Sequence, residues 1–263
     1  MKLDLEGKSV LVTGGNRGIG LAIALAFAEE GANVAICGRD KAALAEAEAQ
    51  IAAKGVKAKS IAADLFTAAG CSSAVATPVD AFGGLDVLVN NASTAVSGNI
   101  ETLDDEKLME RLNGKTLAYM RCCRAALPHL RKSSRGRVIC IGGTAARHAG
   151  ATALPSALGN SALTAFVKQV STMVAAQGIT ANIIHPPFTK TDRYPARRAA
   201  LAKQLGVSEA EAEAKYASEF PIGRIVEPSD IAPMALFLAS PHASAITGQS
   251  IAIDGGSTPG IYY

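Results

Sequence analysis

The chain has 263 residues, of which 49% are apolar and 19% charged, with a formal net charge of +3. That is enough for one large α/β domain or two small ones with a sizeable core, and the small, scattered charge argues against a nucleic-acid partner. Met1 to Gly7 has no apolar core segment and no apolar run reaches the about 18 residues that cross a bilayer, so we expect no secretory signal, no membrane contact and a cytoplasmic protein.

Ser9 to Val12 is β-branched and apolar and predicts a first strand; Thr13 to Gly20, TGGNRGIG, predicts a turn, and the alanine-rich Leu21 to Phe27 a helix. Ala32 to Cys37 reads as the second strand and Asp40 to Lys54 as its helix, with Asp40 as N-cap. Lys57 to Ala62 is a third strand, and a helical stretch then runs to Gly83-Gly84. Leu85 to Val89 is a fourth strand, apolar as expected of one covered on both faces. One long helix is predicted over Asp104 to Arg131, then a strand over Arg137 to Ile141, a helix over Ser156 to Ala176 and a strand over Thr180 to Ile184. Pro228-Ser229-Asp230 reads as the cap of a helix over Ile231 to Leu238, and Ser250 to Ile253 as the last strand.

Strand and helix alternate throughout, which predicts an α/β fold: a doubly wound, Rossmann-like parallel sheet with its ligand crevice at the strands' carboxyl ends. With no linker or repeat, residues 1–263 are expected to form a single dinucleotide-binding domain. Thr189 to Val226 is the irregular stretch and reads as a lid over the crevice, partly helical through its charged middle, Ser208 to Tyr216. Of the five cysteines, Cys37 and Cys140 fall in strands, Cys122 and Cys123 in a helix and Cys71 near a helix start; none has metal-site spacing with histidine, so reduced buried thiols and no metal are expected.

A strand, a glycine turn and a helix N-terminus make an anion site. Free N–H groups and the positive end of the helix dipole point at the ligand, and glycines at 14, 18 and 20 let the backbone approach a pyrophosphate. The spacing is TGxxxGxG, and it resembles the cofactor turn of the short-chain dehydrogenase/reductases; the likeness extends over essentially the whole chain. The resemblance assigns Thr13, Gly14, Asn16, Arg17, Gly18, Ile19 and Gly20 to cofactor binding. It adds Asp64 and Leu65 after the third strand, for the adenine amino group, and Asn91 and Ala92 after the fourth, in a turn where Ser93 replaces the family's glycine. Pro186 and Thr191 fall where the family holds the nicotinamide carboxamide, with Pro187 in place of a glycine.

Dinucleotide folds place an acid about 20 residues past the glycine turn, against the ribose 2′-hydroxyl. Here that count falls on Gly38, with Arg39 next. An arginine there, with Arg17 in the turn, suits a 2′-phosphate. We therefore expect NADP(H) in preference to NAD(H), with NAD(H) still open.

The family's chemistry rests on a Tyr, a Lys four residues later, a Ser about 13 before the Tyr and an Asn on the long helix. In this chain Ser161-Ala162-Leu163 sets the register, putting Asn160 at the Lys position, Ser156 at the Tyr position and Gly143 at the Ser position, while Pro128 puts Lys115 at the Asn position. All four are changed. The cation and the amide have exchanged places, which suggests that the Lys115 ammonium enters the crevice from the opposite wall with Asn160 as its partner; the other reading is a solvated surface lysine. His148, in the loop after the fifth strand, and Tyr194, just past Thr191, are candidate replacement acids, with His185 and Tyr119 behind them.

The resemblance implies an NADP(H)-dependent oxidoreductase acting on a small carbonyl or alcohol with a rebuilt site. Two rivals use the same cleft: a nucleotide-binding sensor or assembly protein without turnover, and non-redox chemistry. It also implies a homotetramer or homodimer through the two long helices, which carry Leu117, Cys122, Ala126, Leu163, Phe166 and Val167, and through the last strand; the Asp254-Gly255-Gly256 turn and the tail to Tyr262-Tyr263 resemble the family's C-terminal end. The lid offers Leu201, Leu205 and Phe220 among Arg193, Arg197 and Arg198, compatible with an apolar carbonyl compound or one with an anionic tail.

Overall fold

A computed structural model describes residues 1–259; the expected role of Tyr262-Tyr263 lies outside them. The sheet is seven-stranded and wholly parallel, in the order β3-β2-β1-β4-β5-β6-β7. Its strands are β1 (Ser9–Thr13), β2 (Asn33–Gly38), β3 (Ala58–Ala62), β4 (Val87–Asn90), β5 (Arg137–Ile141), β6 (Thr180–His185) and β7 (Ser250–Ala252). Between β1 and β4 the chain reverses its direction of winding, and the carboxyl ends there open the crevice where such sheets bind ligands. Thr13 closes its floor: its hydroxyl accepts from the N–H of Asn91 at 2.8 Å and of Ala92 at 3.1 Å.

The five inner strands β2, β1, β4, β5 and β6 are buried on both faces, and the edge strands β3 and β7 are not. Val10 and Val12 point into a layer formed with α1 (Gly18–Glu29), α2 (Lys41–Ala52) and α9 (Pro228–Ala239). Leu11 points the other way, toward α3 (Ala68–Phe82), α5 (Ala118–Leu130) and α6 (Leu154–Val174). Period-two alternation thus fills two apolar layers at once. All five cysteines are free and buried, and burial pushes the Cys37 thiol up to about 12. No helix among the described residues is long and apolar enough to cross a membrane, and no group of acidic, histidine and cysteine side chains among them could hold a metal.

Local chemistry explains the boundaries. Asp40 caps α2 by accepting from the N–H of Ala42 and Ala43. At α9 the N-cap is Glu227, one residue before the expected Pro228-Ser229-Asp230: Pro228 starts the helix, and Asp230 accepts the Glu227 N–H from inside it. The lid carries two helices, α7 (Tyr194–Leu205) and α8 (Glu209–Ala217). The expected helical stretch, Ser208 to Tyr216, corresponds to the second; the first, with Pro195 in its opening turn, was not expected.

The predicted long helix is broken. It runs as α4 (Asp105–Arg111), a π-helical segment Leu112–Leu117, and α5. Gly114 lies in that segment, where a Cβ would come 2.7 Å from Phe66 Cζ and 2.8 Å from Thr94 Cγ2. The backbone passes too close to those two side chains for a regular, side-chain-bearing turn, and the extra residue of a π turn absorbs the offset. Of the residues expected at an interface, Cys122, Ala126, Leu163 and Val167 are buried in the layer under the sheet.

Candidate active site

A cavity of about 840 Å³ opens at the carboxyl ends of the strands. At its floor, Gly14 and Gly18 hold left-handed φ values of 63° and 55°. Gly20 has no room for a side chain, because a Cβ would collide with the Gly14 carbonyl and the Asn91 amide. Asn91 ties the turn down by donating to the carbonyls of Thr13 and Gly14, both at 3.1 Å. The first turn of α1 has no acidic residue and no side-chain cap. Its N–H groups are therefore left for an anion in the cavity.

Of the residues assigned to a cofactor, all but Thr13 and Gly20 line this cavity. Those two lie behind it, Thr13 as the pin between two turns and Gly20 as the close contact that lets α1 start there. Arg39 is exposed at the rim, and the neighbouring Asp40 is engaged as a helix cap, so no free carboxylate follows β2. Arg17 faces Asp192 at 3.8 Å across the mouth, a half-exposed pair that contributes little to stability. Asp64 turns its carboxylate to the Phe66 N–H at 3.1 Å, and Leu65 is buried beside it.

At the other end, Lys115 is 4% exposed and lines the cavity; its Nζ donates to the Gly142 carbonyl at 2.7 Å. Its side chain does not run out over the helix surface, because the π segment carries it inward. Burial, helped by the Arg111 cation, holds its pKa well below the usual lysine range. The expected pairing with Asn160 is absent: Asn160 lines the same cavity, but its Oδ1 is buried and without a partner. A Cβ on Gly143 would lie 2.7 Å from Asn160 Nδ2. Ser156 also lines the cavity, with the Arg111 Nη2 3.5 Å from its Oγ.

His148 and Tyr194 are not cavity residues. His148 is exposed on the loop after β5. Tyr194 opens α7 but is 3% exposed, turned into the packing around Phe188, with ring centroids 6.4 Å apart. Large aromatic area at a helix start is pulled into the core more strongly than toward a polar cleft. Tyr119 is buried too, donating to the Ile141 carbonyl at 3.0 Å. The lid's Phe220 joins the core, whereas Arg193 and Arg197 line the cavity mouth.

His185 is wholly buried behind the Gly142-Gly143 strand end. The Thr164 hydroxyl donates to the Asn160 carbonyl at 2.9 Å and lies 3.3 Å from His185 Nε2. His185 Nδ1 lies 3.0 Å from the Gly143 nitrogen and 2.9 Å from the Gly143 carbonyl oxygen, so both backbone groups of Gly143 face that ring nitrogen. Burial lowers its pKa to about 4, which keeps it neutral.

Arg111 was not anticipated. It is 6% exposed and lines the cavity, donating through Nη1 to the Ser93 hydroxyl and the Thr94 carbonyl. The readable signal was its position four residues before Lys115, which puts two cations on one helix face. Ser93, expected at the family's glycine position, is one of its acceptors.

A family model described as enoyl-(acyl carrier protein) reductase matches residues 14–258. The chain belongs to the short-chain dehydrogenase/reductase family. It is 32% identical to the NADPH-dependent reductase BacG of Bacillus subtilis over 98% of this chain and 100% of the relative. It is 31% identical to the 3-oxoacyl-(acyl-carrier-protein) reductase FabG of Vibrio cholerae over 97% of this chain and 98% of the relative. Among solved structures, L-sorbose reductase from Gluconobacter frateurii, complexed with NADPH and L-sorbose, superposes with a TM-score of 0.95 at 30% identity over 99% of this chain and 100% of that one. Lys115, Gly143, Ser156 and Asn160, the four residues that the sequence register sets against the family's catalytic positions, all line this cavity.

Proposed function

We propose that the chain is an NADP(H)-dependent oxidoreductase that interconverts a small carbonyl compound and its alcohol, with Lys115 in the role the family gives to tyrosine. The observation that carries this reading is the buried Lys115 Nζ, 2.7 Å from the Gly142 carbonyl, in the same cavity as the glycine turn. The cavity fits such a cofactor: α1 has an uncapped N-terminus above glycines with no space for Cβ atoms, and Arg17 and Arg39 stand at the rim with no free acid after β2. When bound, the nicotinamide supplies the hydride.

The chain's own part is to place and protonate. Gly14, Gly18 and the first N–H groups of α1 receive the pyrophosphate, and Arg39 with Arg17 receives the 2′-phosphate. Ser156 donates a hydrogen bond to the carbonyl oxygen. Lys115 delivers a proton to that oxygen as hydride reaches carbon, and takes one back in the reverse direction. A lysine of ordinary pKa holds its proton too tightly for this at neutral pH; burial and Arg111 move Lys115 toward the working range. An aliphatic hydroxyl such as Ser156 remains a hydrogen-bond donor only.

The test is calorimetric titration with NADPH and NADH, followed by NADPH oxidation against a broad carbonyl panel. Tighter NADPH binding and turnover that fails in Lys115→Met are expected. Tight NADPH binding with no turnover across the panel would leave the non-catalytic sensor reading in its place.

A further inference from the structure

Resting on the oxidoreductase reading of this cavity, the inference concerns its substrate. Two cations one turn apart, Arg111 and Lys115, are each more than nine-tenths buried and line the same space. Among the described residues neither forms an ion pair with a carboxylate. Like charges four apart on a helix repel, and a buried charge without a counter-ion is costly. Arg193 adds a third positive charge acting on Arg111, and Arg197 stands at the mouth. The acid at that mouth, Asp192, faces Arg17.

The guanidinium itself is half used. Nη1 is occupied by Ser93 and Thr94, which fixes the plane of the group. On the opposite edge, Nε is buried without a partner, and Nη2 has only the Ser156 hydroxyl at 3.5 Å. That edge is the side-on fork which matches the two oxygens of a carboxylate. Its position beside Ser156, the hydroxyl assigned to the reacting carbonyl oxygen, sets how far the anion stands from the reducible carbon. A fork in contact with that hydroxyl requires the carboxylate to be attached directly to the carbonyl carbon or one carbon away.

We propose that the substrate is an oxo acid, with its carboxylate held by the Nε and Nη2 edge of Arg111, its carbonyl oxygen by Ser156 and Lys115, and its remaining chain directed to the mouth beside Phe188. Phe188 is 40% exposed there, and the Arg197 guanidinium lies 5.4 Å from its ring centroid, so an apolar or aromatic chain has a face to cover. In the reduction a C–H bond forms with hydride from NADPH, the carbonyl π bond breaks and its oxygen takes the Lys115 proton; the carboxylate is unchanged and the product is a hydroxy acid.

The experiment uses phenylpyruvate and its methyl ester as probes, titrated calorimetrically into the full chain with and without saturating NADP⁺, so that binding is read without turnover. The acid is expected to bind at least tenfold more tightly than the ester. Arg111→Gln should reduce that ratio at least tenfold while leaving NADP⁺ affinity unchanged. Equal binding of acid and ester by the unaltered protein, or an unchanged ratio in Arg111→Gln, overturns the inference. Should Arg111→Gln fail to fold, Arg111→Lys decides: it keeps the charge and loses the fork, so the ratio should fall at least threefold, and an unchanged ratio overturns the inference. The two readings fail separately. Absence of NADP⁺ binding with an Arg111-dependent preference for the acid removes the oxidoreductase and keeps the anion site; turnover of neutral ketones with no preference for the acid does the reverse.

Discussion

Gly143 and Asn160 are in mutual contact: a Cβ added to Gly143 would stand 2.7 Å from the Asn160 amide nitrogen. Two of the altered positions are therefore one packing unit. Asn160 occupies the space that a side chain at 143 would need. Gly143→Ser is expected to cost about 1–3 kcal/mol by overpacking, seen as a melting temperature lower by about 2–4 °C per kcal/mol. Adding Asn160→Ala should recover most of the loss. Additive losses in this double-mutant cycle would show that the two positions are independent.

Lys115→Met separates a working lysine from a structural one. Turnover should fall by about 10²- to 10⁴-fold while NADPH affinity stays within error. Thermal stability should hold or rise, because an apolar side chain of similar length replaces a buried cation that has no counter-ion. A large drop in melting temperature would mean that the bond to Gly142 is there to hold the β5 loop.

The same residue sets a pH dependence. Reduction needs the protonated ammonium, so the rate should fall as pH rises through the Lys115 pKa, and burial with Arg111 places that fall well below 10.5. Arg111→Gln removes a neighbouring cation and should move the limb to higher pH. A limb that does not move would place the titrating group elsewhere.

His185 gives a stability window. Its folded pKa of about 4 lies below the unfolded value of 6.5, so the unfolded chain binds more protons between the two. The contribution is complete above pH 6.5 and is lost as pH falls toward 4, to a limit of about 3 kcal/mol. Urea midpoints measured from pH 7 to 4 should decline in the unaltered protein and flatten over that range in His185→Gln. A parallel decline in both would assign the acid sensitivity to other groups.

Arg39→Ser should weaken NADPH binding about tenfold or more and leave NADH binding unchanged, since only the former offers a 2′-phosphate to the guanidinium. Equal losses for both nucleotides would mean that Arg39 contacts the shared part of the molecule.

The sheet was legible because its code is local and redundant. Each inner strand is largely an apolar run, and the glycine turn sits between the first strand and the first helix, so the topology and most of the cavity floor could be read from single segments. Asp40 as a cap could be read for the same reason. The chemistry at the far end could not. Lys115 and Asn160 were visible as exchanged letters, but the acceptor of the lysine is a backbone carbonyl at 142, which no sequence pattern marks. Tyr194 illustrates the opposite error: a chemically able side chain in a plausible loop, turned by its own apolar area into the core. Arg111 carries no sequence signal of burial: a charge on a helix is usually solvated, and the adjoining π turn shows in sequence only as a glycine at 114.

That π turn also divides labour along the chain. Downstream of it, α5 buries Tyr119, Cys122, Cys123, Ala126 and Leu130 under the sheet, whereas upstream α4 buries only Arg111. The odd residue lets the two halves keep separate rotational phases. Residues 105–111 can thus change their contacts with a ligand while α5 stays in register with the core. Selectivity is adjustable here by replacing a single turn of backbone, at a joint the rest of the protein does not have to follow.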